Sequence, residues 1–219
     1  MRVRFSRARR AWLAHCTVAL GGVLALGLAQ AQGRPATILV VGDSLSAEYG
    51  LARGTGWAAL LEQRLAQEKV QARVINASIS GDTTSGGRSR LPALLTAHTP
   101  THVVLELGSN DALRGLPLTM TQTNLAEMAR MSKRAGAKVL IAGMQMPPNY
   151  GRKYAEEFSA LFANVARTEG AALVPFLLRG VADGPNPEAL FQPDRIHPTA
   201  AAHPTILSNV WPVLRPLLK

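Results

Sequence analysis

Ser44, Asp194 and His197 are the residues whose types and spacing offer chemistry. Hydrolysis by a serine needs a nucleophilic hydroxyl, a histidine to take its proton, a carboxylate to hold that histidine, and donors aimed at the developing oxyanion. Ser44 follows Gly42-Asp43 at the end of the apolar run Ile38-Leu39-Val40-Val41, where the spacing predicts that it opens a helical stretch with free backbone N–H groups. Taken alone, it reads equally as an N-cap. The histidines narrow the choice. Of the five, His15 lies in the N-terminal head, His98 and His102 flank a later apolar run, and His203 has Ala200 three residues earlier. Only His197 has an aspartate at that offset, and a turn brings residues i and i+3 within about 7 Å, so Asp194 can accept a hydrogen bond from the ring. Pro198 biases His197 towards an extended backbone and suits the first turn of a following helix. The alternative for this pair is a surface turn whose Asp and His are incidental.

These groups need elements that bring them together. Thr37 to Val41, Val70 to Ile79, His102 to Leu107, Lys138 to Ala142 and Ala172 to Phe176 read as strands. Continuous rather than alternating hydrophobicity marks several of them as buried on both faces of a parallel sheet. Helical patterns lie between them, with Trp57, Leu60, Leu61 and Leu65, then Leu125, Met128 and Ala129, at three- and four-residue spacing; Tyr154 to Thr168 and Thr199 to Leu218 complete the set. The expected fold is a three-layer α/β/α sandwich with about five parallel strands, joined by right-handed crossovers.

In open sheets of this kind chemistry gathers beyond the carboxyl ends of the strands. The loops there are Gly42-Asp43-Ser44-Leu45-Ser46, Ser80-Gly81-Asp82-Thr83, Gly108-Ser109-Asn110-Asp111 and Gln145 to Gly151, with Asp194 to Pro198 after the fifth strand. The backbone N–H groups of Ser44 and Gly81 and the side-chain amide of Asn110 are the candidate oxyanion donors. Four loops at one edge each present a residue type that a single mechanism uses.

Other chemistries fit less well. The serine loop lacks the second glycine of a G-x-S-x-G elbow, no dinucleotide or phosphate loop follows the first strand, and the His and carboxylate clusters of a metal hydrolase are missing. No metal or cofactor is expected. The composition, 47% hydrophobic and 17% charged in 219 residues, is that of a globular chain.

The formal charge of +10 is partly an export device. Arg2, Arg4, Arg7, Arg9 and Arg10 form an acid-free head, Thr17 to Leu28 is apolar or glycine, and Ala29-Gln30-Ala31 is a small-x-small cleavage site. Residues 1–31 are therefore expected to be a cleaved signal peptide and residues 32–219 a single domain, periplasmic or secreted; an uncleaved anchor helix is the alternative. Arg9-Arg10 also faintly resembles a twin-arginine signal. Removing the five arginines lowers the charge from +10 to +5, scattered singly, which argues against a nucleic-acid partner. Cys16, the only cysteine, leaves with the signal.

The mature chain resembles the SGNH (GDSL) hydrolases, most closely the acyl-CoA thioesterase I / lysophospholipase L1 / protease I group. Gly42 to Ser46 is similar to the first block of that family, Asn76 to Thr83 to the second, Glu106 to Asp111 to the third and Asp194 to Pro198 to the fifth. The resemblance implies the SGNH-hydrolase (flavodoxin-like) fold, Ser44 as nucleophile, His197 as base, Asp194 as its orienting acid, and Ser44, Gly81 and Asn110 as the oxyanion hole. Leu113, Leu116, Met146 and Tyr150 become candidates for contact with the acyl chain. The implied substrate is a small acyl ester or thioester, such as a lysophospholipid, an aryl ester or acyl-CoA. A carbohydrate O-acetylesterase and a non-catalytic lipid- or glycan-binding protein of the same fold are the alternatives. Two residues depart from the pattern: Glu48 and Ser109 each stand where the family has glycine, and Glu48 places a charge near the nucleophile.

Overall fold

Every apolar run read as a strand joins one parallel sheet. The computed structural model describes residues 35–219, so the signal segment expected over residues 1–31 lies outside the described residues. The strands are β1 (Ala36–Gly42), β2 (Ala72–Asn76), β3 (His102–Glu106), β4 (Lys138–Ala142) and β5 (Ala172–Val174). Their order is β2-β1-β3-β4-β5, all neighbours parallel. Central β3 is buried throughout, whereas β2, at the edge, alternates half-buried and exposed positions.

The helices are α1 (Trp57–Gln67), α2 (Thr84–His98), α3 (Ser109–Leu113), α4 (Leu118–Arg134), α5 (Arg152–Glu169) and α6 (His203–Leu214). From β1 the chain steps one way to β2 and then the other way to β3, β4 and β5. Right-handed crossovers therefore put α1 on one face and α2, α4 and α5 on the other. Accordingly α1 packs with α6, and α4 with both α2 and α5, which makes the expected α/β/α sandwich. The chain reverses direction between β1 and β3, and the crevice there is where open sheets bind ligands.

Helix α2 has no counterpart among the predicted helices. Gly86, Gly87 and Pro92 weaken its intrinsic propensity and its apolar face is faint. Tertiary contacts support it instead. Thr83 caps its N-terminus by accepting the Gly86 N–H, and Thr84 hydrogen-bonds the buried Asp111 of α3. A Cβ on Gly87 would stand 2.3 Å from the Leu107 side chain, so the glycine lets α2 lie close against the end of β3. The predicted terminal helix over Thr199 to Leu218 divides into a 3-10 turn, α6 and a second 3-10 turn, with Pro204, Pro212 and Pro216 along it.

Beyond β4, Gly143 carries a similar constraint against rigid backbone. A Cβ there would lie 2.5 Å from the Pro175 carbonyl oxygen. Gly143→Ala is therefore expected to destabilise the protein by about 1–3 kcal/mol and to lower Tm by roughly 3–10 °C in a thermal melt. An unchanged Tm would mean that the β4 and β5 loops separate without cost.

Candidate active site

The loops beyond β1 and β5 bring Ser44 and His197 together across 153 positions of sequence: His197 Nε2 lies 2.9 Å from Ser44 Oγ. On the other side of the ring, His197 Nδ1 lies 2.7 Å from Asp194 Oδ2. An ionised carboxylate only accepts, so Nδ1 carries the proton and Nε2 is left to accept from the serine hydroxyl. The second Asp194 oxygen accepts the Ile196 and His197 backbone N–H groups at 2.9 and 3.0 Å, closing the turn that aims the ring. Those two N–H bonds and the ring N–H hold the Asp194 carboxyl at about 2, below the ordinary carboxylate range.

Ser44 does not open a helix as expected. It sits in a succession of turns from Asp43 to Gly50, and α1 begins only at Trp57. Its N–H is nonetheless uncommitted among the described residues, as is that of Gly81, whose φ of +78° favours glycine. Asn110 lies in the first turn of α3 and donates one amide hydrogen to Asp43 Oδ2 at 3.1 Å. That bond fixes the amide and leaves its second hydrogen free. Three donors and an activated hydroxyl at one sheet edge can carry acyl transfer: attack on a carbonyl, stabilisation of the oxyanion, and return of the proton to the leaving group.

The residues that match the chain to known proteins lie on this framework. The model of the GDSL-like lipase/acylhydrolase family matches residues 40–204. The chain belongs to that family. It is 53% identical to "Esterase TesA" of Pseudomonas aeruginosa over 199 residues, 91% of this chain and 98% of the relative. It is 41% identical to "Thioesterase 1/protease 1/lysophospholipase L1" of Escherichia coli, covering 83% of this chain and 85% of the relative. A crystal structure of TesA superimposes with a TM-score of 0.80 at 54% identity, covering 83% of this chain and 99% of that one.

The two departures from the family's glycines are now explicable in part. Glu48 has φ +60°, the left-handed conformation that favours glycine. Its carboxylate accepts the Gly54 and Gly56 N–H groups at 2.8 to 3.2 Å, so it organises the loop before α1. Ser109 leaves its buried Oγ without a partner, and nothing in the structure explains the substitution. The candidate acyl contacts do not converge on one cavity. Buried Met146 lines a cavity of about 570 Å³ with Gln145, Arg152, Ala155 and Ser159. Leu113, Leu116 and Tyr150 are not part of that lining; Leu113 and Tyr150 stand exposed and Leu116 half-buried.

Several residues of the site escaped the sequence reading. Gln192 Nε2 donates to the Tyr49 and Pro198 carbonyls at 2.9 and 3.0 Å, tying the serine loop to the histidine loop. The Tyr49 ring lies 4.3 Å from the His197 ring, centroid to centroid. Arg114 donates to the Gly81 carbonyl at 2.7 Å. Nothing in the sequence signals these. His203, set aside as a base, is buried and accepts the Trp57 N–H at 2.9 Å, capping α1; burial pushes its pKa down.

Beneath Ser44 lies a buried acid that did have a signal, a carboxylate ending an apolar strand. Glu106 is fully buried and accepts from Ser46 Oγ at 2.7 Å and from the Asp43 N–H at 3.3 Å. Burial, and then the neighbouring Asp43 charge, push its pKa up, while burial raises Asp43 from 3.8 to about 6. Because both folded values exceed the unfolded ones, the folded state binds more protons above pH ~4, and stability falls as pH rises through about 6. Asp43 alone accounts for a change on the order of 3 kcal/mol. Asp194 acts oppositely but below pH ~4, outside this window. Glu106→Gln, which cannot ionise, is expected to be more stable than the parent at pH 8 and to lose less stability between pH 5 and 8. Urea unfolding at the two values tests this, and an unchanged pH dependence would show that Glu106 does not titrate there.

Proposed function

We propose that the chain is an exported serine hydrolase that releases acyl chains from small esters and thioesters, lysophospholipids among them, through an acyl-enzyme on Ser44. That it is an ester or thioester hydrolase follows from its family; the residue roles, the natural substrate and the compartment are the proposal. The hydrogen-bonded chain from Asp194 through His197 to Ser44 is the observation that supports it most. His197 Nε2 takes the serine proton as Oγ attacks the carbonyl. The Ser44 and Gly81 N–H groups and the free Asn110 amide hydrogen receive the oxyanion, and His197 then protonates the leaving oxygen or sulfur. A water enters by the same route in reverse, giving the fatty acid and free Ser44. The sequence pattern of residues 1–31 supports export, and export favours envelope lipids over cytoplasmic acyl-CoA. Among the described residues no helix is long and apolar enough to cross a membrane.

Turnover of p-nitrophenyl esters from two to sixteen carbons, with a lysophospholipid beside them, tests the substrate. Activity on longer chains and on lysophospholipid is expected. Acetate-only activity would indicate a deacetylase, and no activity a binding protein. Asn110→Ala is expected to lower kcat about 10²- to 10³-fold with little change in KM, since its donor acts on the oxyanion more than on the substrate. Equal loss in KM would assign the amide to ground-state binding.

A further inference from the structure

Among the described residues five large apolar side chains are exposed: Tyr49 (49%), Ile79 (53%), Leu113 (41%), Tyr150 (43%) and Ile196 (51%). Single exposed hydrophobics need no explanation, but a concentration of them does. Each of these stands in a different one of the five connections that leave the C-terminal ends of β1 to β5. They therefore ring the edge that carries Ser44 and His197, Leu113 at the end of the short α3 there, and the outer faces of α1, α2, α4, α5 and α6 have none.

The same edge is electropositive. Helices α1, α2, α4 and α5 all start there, and none has an acid in its first turn, where the helix dipole would favour one. Exposed Arg53, Arg114, Arg152 and Arg195 lie in these connections or in the first turn of α5. The carboxylates beyond the first three strands are withdrawn from solvent or engaged: Asp43 and Asp111 are buried, Glu48 holds the Gly54 and Gly56 N–H groups, and Asp82 pairs with Arg90. Asp194 is held by His197. Asp183, Glu156 and Glu188 stand exposed against this field without an ion pair among the described residues, Asp183 accepting only the Gly180 N–H.

We infer that this edge is an interfacial docking face for anionic phospholipid, the apolar crown entering the headgroup boundary while the arginines meet lipid phosphates. An apolar ring within a basic field is the combination that binds such surfaces peripherally. Seated this way, the mouth over Ser44 opens onto the lipid from which a long-chain ester is drawn. That purpose rests on the acyl-hydrolase reading; the binding itself does not.

Cosedimentation of the purified exported protein carrying Ser44→Ala, so that no lipid is consumed, tests the inference on vesicles of phosphatidylglycerol with phosphatidylcholine and on phosphatidylcholine alone. Binding to the anionic vesicles is expected to exceed binding to the neutral ones at least about tenfold at low salt, and to weaken in 0.5 M NaCl. Adding Ile79→Ser and Arg53→Gln should lower the anionic partition about tenfold or more. The same pair in the active protein should leave turnover of dissolved p-nitrophenyl acetate within about twofold. Absent binding, equal binding to both vesicles, or full binding by the paired variant would each overturn the inference. Absent ester turnover in the unsubstituted protein would instead count against the hydrolase reading and leave the vesicle result standing.

Discussion

Ser44→Ala is expected to lower kcat for p-nitrophenyl butyrate by at least about 10⁴-fold while leaving the fold and KM nearly unchanged. Among the described residues the side chain makes a single hydrogen bond, to His197 Nε2, so its loss removes little packing or polar satisfaction. Among the described residues no other hydroxyl is placed on His197 to take over. Ser46, two residues on, is buried, donates to Glu106 at 2.7 Å and accepts from the Trp57 indole N–H at 3.1 Å. What remains is water attack assisted by His197 and the oxyanion donors, which is a small residue of the full rate. Stopped-flow turnover beside a thermal melt checks both halves. A variant that is folded and keeps more than about a tenth of the parent rate would mean that Ser44 is not the nucleophile.

Asp194→Asn is expected to cost about 10²- to 10³-fold in kcat. The asparagine carbonyl can still accept the Ile196 and His197 N–H groups, so the turn survives. Its amide would donate to His197 Nδ1, moving the ring proton to Nε2, where it faces the serine hydroxyl as a second donor instead of an acceptor. That is the wrong tautomer for a base. The loss should be smaller than for a wholly buried carboxylate, because the Asp194 side chain is 37% exposed and water can share in stabilising the imidazolium. A kcat within threefold of the parent would reduce Asp194 to a turn former. A matching rise in KM would point to a displaced loop.

Much of this was legible in the sequence because it is local. Runs such as Ile38 to Val41 and Val103 to Leu105 lack any polar face, and only a strand covered on both sides buries them. The Asp194-to-His197 spacing is a property of one turn, so the i, i+3 geometry could be read without knowing the fold. Where local propensity and tertiary packing disagreed, the sequence misled: α2 forms despite Gly86, Gly87 and Pro92 because Thr83 caps it and Leu107 receives its glycine face. The serine loop likewise turns where a helix was expected.

By itself, then, the sequence determined which segments are apolar strands and which loops carry Ser44, Gly81, Asn110, Asp194 and His197. The tertiary structure decided what lies around them. Parallel pairing sets Gly42 opposite Glu106, which is why an acid distant in sequence sits beneath the Ser44 loop. The β2-β1-β3 order sets the loop with Asn110 beside that with Asp43, and the return from β5 brings Gln192 onto Tyr49 and His203 onto the start of α1. Burial follows from hydrophobic periodicity along a segment. Which polar groups share a buried space follows from strand order and register, and those are fixed only when the whole sheet is assembled.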